Sequence, residues 1–367
     1  MLSTVKLLNM KISKEKLQKA LEIVKPGLDT KEELDQSASF AFIDRRVMTY
    51  NDKISVSHPV DEVAFEGAVS AEELYGFLSK GSRTEVDISV DGPELHIKCG
   101  RSKVWLKMEE LNTENNKGIK YIIDDQKLLA SKKWKKITNS ELFSKHLLFA
   151  TQACSTDMTE LVLTCVNVKK DGKIQSTDKF RVIQCIGDPI LVNDFLIPAR
   201  AVLEVVKIQP NKIAISGGWV HFKNEEGSVV SARTVDGDFF NQKRLDGVLQ
   251  IQSGSKIRFP KNIDDMLQRT HQFAKRDFVF DESVEISISK GKIKMSATAA
   301  VTKSRIEDSA RIEIQKDLSF WISPSLFTEV LKETRTCLMD KEGRKAKFIG
   351  VESNWEYVIF LGSNDVV

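Results

Sequence analysis

Helix-forming segments begin near residues 14, 70, 140, 198, 262 and 323, one every roughly 60 residues, and short strand-like runs separate them. A chain patterned this way cannot be an all-helical bundle or a helix-free sandwich; it reads as repeated α+β units. One unit is a helix with about four strands, and two units make about 120 residues, an ordinary domain size. Three similar domains, 1–127, 128–250 and 251–367, each of two strand-helix-strand repeats, therefore account for the 367 residues. Other α+β proteins space helices comparably, so the recurrence narrows the architecture without deciding it.

The unit is clearest between Ser176 and Lys207. STDKFRVIQC reads as a strand entered through a polar turn, Phe195-Leu196-Ile197 as a short buried strand, and Pro198 as a first-turn proline opening the helix RAVLEVVK. LSFWISPSLFTEVLKE repeats it, with Pro324 in place of Pro198. At the start of the chain, a strand from Val5 to Ile12 leads to a helix capped by Ser13, with the apolar stripe Leu17, Ala20, Leu21 and Val24 and a stop at Pro26-Gly27. SFAFIDRRVMTYN, KISVSHPV and EVAFEGAVS read as strands, and SAEELYGFLSK as a helix ending at Gly81. EVDISVDG, ELHIKCG and SKVWLKM follow as alternating strands. A loop is expected at Glu109–Gly118, a linker at Asp124–Ser131, and then a basic cluster, Lys132, Lys133, Lys135 and Lys136, around Trp134. Beyond the helix after Thr138-Asn139-Ser140, ELVLTCVNV is expected as strand, and Asp236 through Gln250 as a hinge. DESVEISISKGKIKMSATAAV reads as a hairpin turning at Lys290-Gly291.

Chemistry is conspicuous by its dispersal. The five histidines lie far apart without ligand spacing, and there is no phosphate loop, dinucleotide fingerprint or nucleophile elbow. Asp44, Asp52 and Asp178 read as turn or strand-edge residues without partners, and Gly217-Gly218 as a tight turn. A hydrolase lacks any nucleophile–base pair. Neither a metal nor a cofactor is expected, and an enzyme is disfavoured. The five cysteines are scattered and lack CxxC spacing, which reads as buried free thiols in a reducing compartment. No signal peptide and no apolar run of membrane-spanning length is present, so a cytoplasmic protein without a membrane partner is expected. With 55 basic against 52 acidic residues, any cationic surface must come from placement instead of excess.

Four short segments carry a family resemblance. TDKFRV (Thr177–Val182) resembles the T-D-x-x-R-[LV] strand of bacterial DNA sliding clamps, the beta subunit of the replicative polymerase. FLIPARAVLEVVK resembles that family's strand-proline-helix element, VDGDFFNQKRL (Val235–Leu245) its V-D-G-x-F-P-x-x-x-R link, and GRSKVWLKM (Gly100–Met108) its G-R-S-x-F-x-L strand. Each motif is weak alone; their order and spacing extend the resemblance over essentially the whole chain. The chain departs from the family at Lys179-Phe180, where Gly-His is usual, at Phe240, where proline is usual, and in a longer, more polar C-terminus. These departures mark a divergent member, of bacterial or phage origin, with a retuned pocket.

The resemblance implies a homodimer of three-domain chains closed head-to-tail into a ring, helices inside and sheets outside, around double-stranded DNA. It implies DNA-facing cations at Lys16, Lys19, Lys80, Lys145, Lys207, Arg269, Lys275 and Lys332. A ring seam would involve Val104, Leu106 and Phe273. A pocket for peptides of the replicative polymerase and clamp loader would comprise Leu163, Thr177, Lys179, Phe180, Arg181, Val182, Phe240, Arg244, Leu245, Val358 and Phe360. The competing reading is a non-catalytic β-rich scaffold or ligand-binding protein, which calls for an exposed aromatic platform; the five tryptophans are instead dispersed.

Overall fold

The computed structural model describes residues 8–31, 33–111, 119, 123–124, 133–277, 281–314 and 316–362. The expected strand start at residues 5–7, the loop from residue 112, the linker beyond Asp124 and Lys132 lie outside the described residues. The chain divides into two compact units. Unit 1 is Met1–Leu148 with Val168–Asp171 and Asp188–Asp236, and unit 2 is Phe149–Asn167, Gly172–Gly187 and Gly237–Val367.

Unit 1 is built on one antiparallel sheet. Its strands are β1 (Leu8–Ser13), β2 (Ser39–Ile43), β3 (Arg46–Tyr50), β4 (Ile54–Pro59), β5 (Gly67–Ser70), β6 (Glu85–Asp91), β7 (Glu94–Cys99), β8 (Ser102–Glu109) and β9 (Lys135–Lys136), then, later in the chain, β14 (Lys212–Ser216), β15 (Trp219–Lys223) and β16 (Val229–Arg233). They lie in the order β1-β6-β7-β8-β5-β2-β3-β4-β16-β15-β14-β9. The hairpin Ser39–Tyr50, expected as one run, turns at Asp44 and Arg45, both with positive φ; no glycine marks the turn. By contrast, Gly217-Gly218 form the expected turn between β14 and β15.

Helices α1 (Lys14–Val24) and α2 (Ala71–Lys80) form where sequence placed them. The Ser13 hydroxyl accepts from the Lys16 N–H at 3.4 Å, and Ser70 caps α2 through Glu73. Leu17, Ala20, Leu21 and Val24 are all buried. Helix α3 (Ser140–Thr151) is capped by Asn139, whose Oδ1 accepts from Leu142 at 3.1 Å. Helix α4 (Ala199–Lys207) follows the short strand β13 (Phe195–Pro198), so Pro198 is the residue before the helix and not its first turn. Proline suits that place because its extended backbone ends the strand and its missing N–H leaves no donor orphaned.

Unit 2 holds a sheet ordered β10-β11-β12-β24-β23-β22-β17, with β10 at Cys165–Val168, β11 at Lys173–Thr177, β12 at Arg181–Ile186, β17 at Gly254–Arg258, β22 at Thr336–Asp340, β23 at Lys345–Gly350 and β24 at Trp355–Phe360. A second sheet runs β20-β19-β18-β21, from β18 (Val284–Ser289), β19 (Lys292–Thr298), β20 (Arg305–Arg311) and β21 (Leu318–Ile322). β18 and β19 turn at Lys290-Gly291 as expected. Leu161–Thr164 is a 3₁₀ turn where strand was expected.

Among the described residues three α-helices lie wholly within unit 2: α5 (Gln242–Leu249), α6 (Ile263–Ala274) and α7 (Pro324–Leu331). Helix α5 corrects the expected hinge, since Asn241 caps it through Lys243 and Leu245 and Leu249 pack against Val182 and Val358. All five cysteines are free and buried, as expected.

Candidate functional site: a hairpin tip, an aromatic rim and an acidic-lipped cavity

The candidate pocket residues all fall within unit 2 and gather in three groups. The first is the tip of the β11–β12 hairpin, where Thr177 stands opposite Val182 and the turn is Asp178-Lys179-Phe180. Lys179 has φ 76°, the left-handed conformation that favours glycine, so a lysine here is held in place by its neighbours. Those neighbours are identifiable. Asp178 Oδ1 accepts from the N–H groups of Phe180 and Arg181, each at 3.0 Å. Thr177 Oγ1 donates to the Arg181 carbonyl at 2.7 Å and accepts from the Lys179 N–H at 3.2 Å. Lys179 Nζ pairs with Glu160.

The second group is apolar. Val182 on β12, Val358 on β24 and Leu245 on α5 form one buried cluster with Leu249, and Phe239 and Val248 pack against it. They are the floor beneath the tip and not exposed contact groups. Above them the Phe360 N–H donates to the Phe180 carbonyl at 2.9 Å, placing these two residues side by side. Phe180, Phe240 and Phe360 are 47%, 39% and 38% exposed. Aromatic rings left this open form a surface suited to burial by something else. Arg244 is exposed on α5, one residue before the buried Leu245.

The third group lines a cavity of about 420 Å³ bounded by Thr159, Glu160, Leu161, Val162 and Leu163 on one side and Asp238 and Phe240 on the other. Gly237 shapes its wall: at φ 148° a Cβ would lie 2.7 Å from Val162 Cγ2. Gly237→Ala is expected to destabilise unit 2 by about 1–3 kcal/mol, measured by urea denaturation, because strain and clash coincide.

Arg181 differs from its expected place on a wall. Its side chain is buried, with Nε 2.9 Å from Asp178 Oδ2, and one terminal nitrogen donates both to Glu329 on α7 and to the Tyr357 hydroxyl at 3.1 Å. Burial opposes its charge, but Tyr357, Asp178 and Glu329 outweigh that and raise its pKa. Burial pushes the Tyr357 hydroxyl up, with Arg181 opposing. Asp178, read from sequence as unpartnered, is thus the ion partner and turn-former of the hairpin. This network corrects the sequence reading; Asp178, Glu329, Tyr357 and Glu160 were not among the candidates.

The candidate DNA-facing cations are all exposed. Within unit 1, Lys19, Lys145 and Lys207 border one groove of about 970 Å³ beside α1, α3 and the end of α4. Several are already paired: Lys16 with Glu62 at 3.5 Å, Lys145 with Glu141 at 2.7 Å, Lys207 with Glu204 at 2.7 Å and, in unit 2, Arg269 with Asp308 at 2.7 Å. Lys80 ends α2, Lys275 follows α6 and Lys332 follows α7. Of the candidate seam residues, Leu106 is buried inside unit 1, Val104 and Phe273 are partly exposed, and Trp105 between the first two is 57% exposed beside His96. β8 pairs β7 along Ser102–Lys107, but β5 only at Met108 and Glu109. Most of one β8 edge therefore carries no partner strand among the described residues.

Among the described residues no group of three or more His, Cys, Asp or Glu side chains could hold a metal ion, and no helix is long and apolar enough to cross a membrane.

No family model and no curated protein matches the sequence. Solved structures do. The DNA polymerase III subunit beta from Pseudomonas aeruginosa superposes with a TM-score of 0.76 at 16% identity, covering 97% of this chain and 100% of that one. The DNA polymerase sliding clamp from Bacillus subtilis gives 0.78 at 16% identity, over 98% and 100%. The DNA polymerase III beta subunit from Thermotoga maritima gives 0.75 at 16% identity, over 97% and 99%. The fold is therefore that of the sliding clamps, a mixed α+β architecture of large antiparallel sheets and short helices, as the motif order implied.

Proposed function

We propose that the chain is a DNA polymerase processivity factor, a sliding clamp that encircles duplex DNA without sequence readout and tethers a replicative polymerase through a peptide pocket. The observation that carries this reading is that the structural likeness runs the length of both chains instead of resting on one domain. Two chains, each of domains 1–127, 128–250 and 251–367, would close head-to-tail. The open β8 edge from Ser102 to Lys107 supports strand addition by a second copy near its α6 and Phe273. The helix cations would meet phosphates loosely, because exposed lysines already engaged by glutamates form weak and exchangeable contacts. Loose contact suits sliding. The protein is non-catalytic in this reading and acts where DNA is replicated, in the cytoplasm, with a clamp loader opening the ring.

Light scattering at micromolar concentration tests the assembly. A mass of twice the 41.4 kDa chain is expected, and a monomer or a trimer contradicts the ring. The pocket is tested separately. Changing Phe180 and Phe240 together to alanine is expected to weaken binding of the polymerase's clamp-binding peptide at least about tenfold, since exposed aromatic anchors dominate such contacts. Unchanged affinity in a fluorescence-anisotropy titration would remove these rings from the site.

A further inference from the structure

The cavity beside Phe240 has an apolar floor, from Leu161, Leu163 and Phe240, and a rim charged in one sense: its charged lining residues, Glu160 and Asp238, are both acidic and exposed. Asp157 stands exposed just before this lining. Its carboxylate is held below the usual range by the Thr159 N–H at 2.9 Å and hydroxyl at 2.8 Å, with Lys179 adding to the effect. The cation at this rim is Lys179, which reaches from the hairpin tip to Glu160 and leaves Asp238 for another partner. Resting on the pocket reading above, we infer that the cavity selects a peptide carrying a basic side chain, lysine or arginine, next to an apolar anchor.

The anchor fills the apolar floor and covers the open face of Phe240. The neighbouring cation pairs with Asp238 and displaces Lys179 from Glu160, one exposed ion pair replacing another at little cost. Lys179 is in this sense an intramolecular competitor: its amine already holds Glu160, so until a peptide arrives only Asp238 of the two lining carboxylates is left for a ligand cation. A glutamate in the same place would meet Glu160, Asp238 and Asp157 together, so the rim discriminates by repulsion as well as attraction. Two of the positions at which the chain departs from the clamp motifs meet here: Phe240 lines the cavity and Lys179 pairs with its Glu160, so one departure supplies apolar surface and the other sets the charge at the rim.

The test uses the full chain and two synthetic peptides that share a Leu-Phe anchor pair and differ only in flanking residues, lysine in one and glutamate in the other. At low salt the lysine peptide is expected to bind about tenfold tighter, from two exposed pairs of roughly two- to fivefold each. Glu160→Gln combined with Asp238→Asn should bring the two peptides within about twofold of each other, and Lys179→Gln should tighten the lysine peptide about two- to threefold by removing the competitor. All three side chains are exposed, and unchanged thermal unfolding of each variant confirms that the fold is intact. Equal binding of the two peptides, or a preference that survives the double substitution, overturns the inference while leaving the pocket standing. Failure of both peptides to bind overturns the inference together with the pocket.

Discussion

Replacing Arg181 with methionine is expected to destabilise unit 2 by about 3–5 kcal/mol, the range for breaking a buried ion pair from one side. Methionine keeps the stem's volume, so the loss comes from the charge. Asp178 has a side chain only 1% exposed and would keep a carboxylate with its counter-ion gone, while the Tyr357 hydroxyl would lose its donor. The hairpin depends on the same groups, because Asp178 also accepts the two N–H groups that fold the Lys179 turn. Asp178→Asn in the same chain removes the orphaned charge and keeps an acceptor for the turn, and it should recover part of the loss. Urea denaturation of the two single variants and the double variant closes the cycle. A loss below about 1 kcal/mol for Arg181→Met would mean that the network is solvated and does not hold the tip.

The second large effect is on unit 1 and depends on pH. His221 on β15 is 1% exposed, with Nε2 2.8 Å from the Ser216 hydroxyl on β14 and Nδ1 2.8 Å from the Ser231 hydroxyl on β16. Burial lowers its pKa to about 4, from the ordinary 6.5. The neutral ring is therefore favoured by folding, so its stabilisation is fully present above pH 6.5 and is lost as pH falls towards 4. The gap corresponds to about 3 kcal/mol across that window. His58, lowered first by burial and then by Arg46, acts in the same direction and in the same unit. The urea midpoint of unit 1 should fall between pH 6.5 and 4, and His221→Gln should flatten much of that slope. A wild-type midpoint constant over this range would contradict a buried neutral imidazole.

What could be read from sequence follows the range of the forces involved. Helix α1 was legible to its cap and stripe because Ser13, Leu17, Ala20, Leu21 and Val24 act within a few residues of one another. Helix α5 was not, because Gln242–Leu249 buries only Leu245 and Leu249 and follows the turn-like Asp236-Gly237-Asp238. The Asp44-Arg45 turn escaped because it uses left-handed backbone without glycine. Most of the candidate pocket was legible as a set of positions, since the motifs carry Thr177 to Val182 and Phe240 to Leu245 in order. Its electrostatics were not. The partners of Arg181 lie 148 and 176 residues along the chain, and nothing local to TDKFRV announces Glu329 or Tyr357. The same holds for Glu160, which reaches Lys179 only through the fold.

Encirclement of DNA without a stable grip is the core of the proposed function, and topology tests it directly. Protein is threaded at high concentration onto linear duplex tethered to a bead at one end, a bulky block is then bound to the free end, and the beads are washed at high salt. A ring is expected to remain through the wash and to leave at once when a nuclease cuts between bead and block. Protein held by charge would instead wash off the intact duplex, since lysine–phosphate binding collapses as salt rises. Loss in the salt wash before cutting, or retention after cutting, would contradict a sliding clamp.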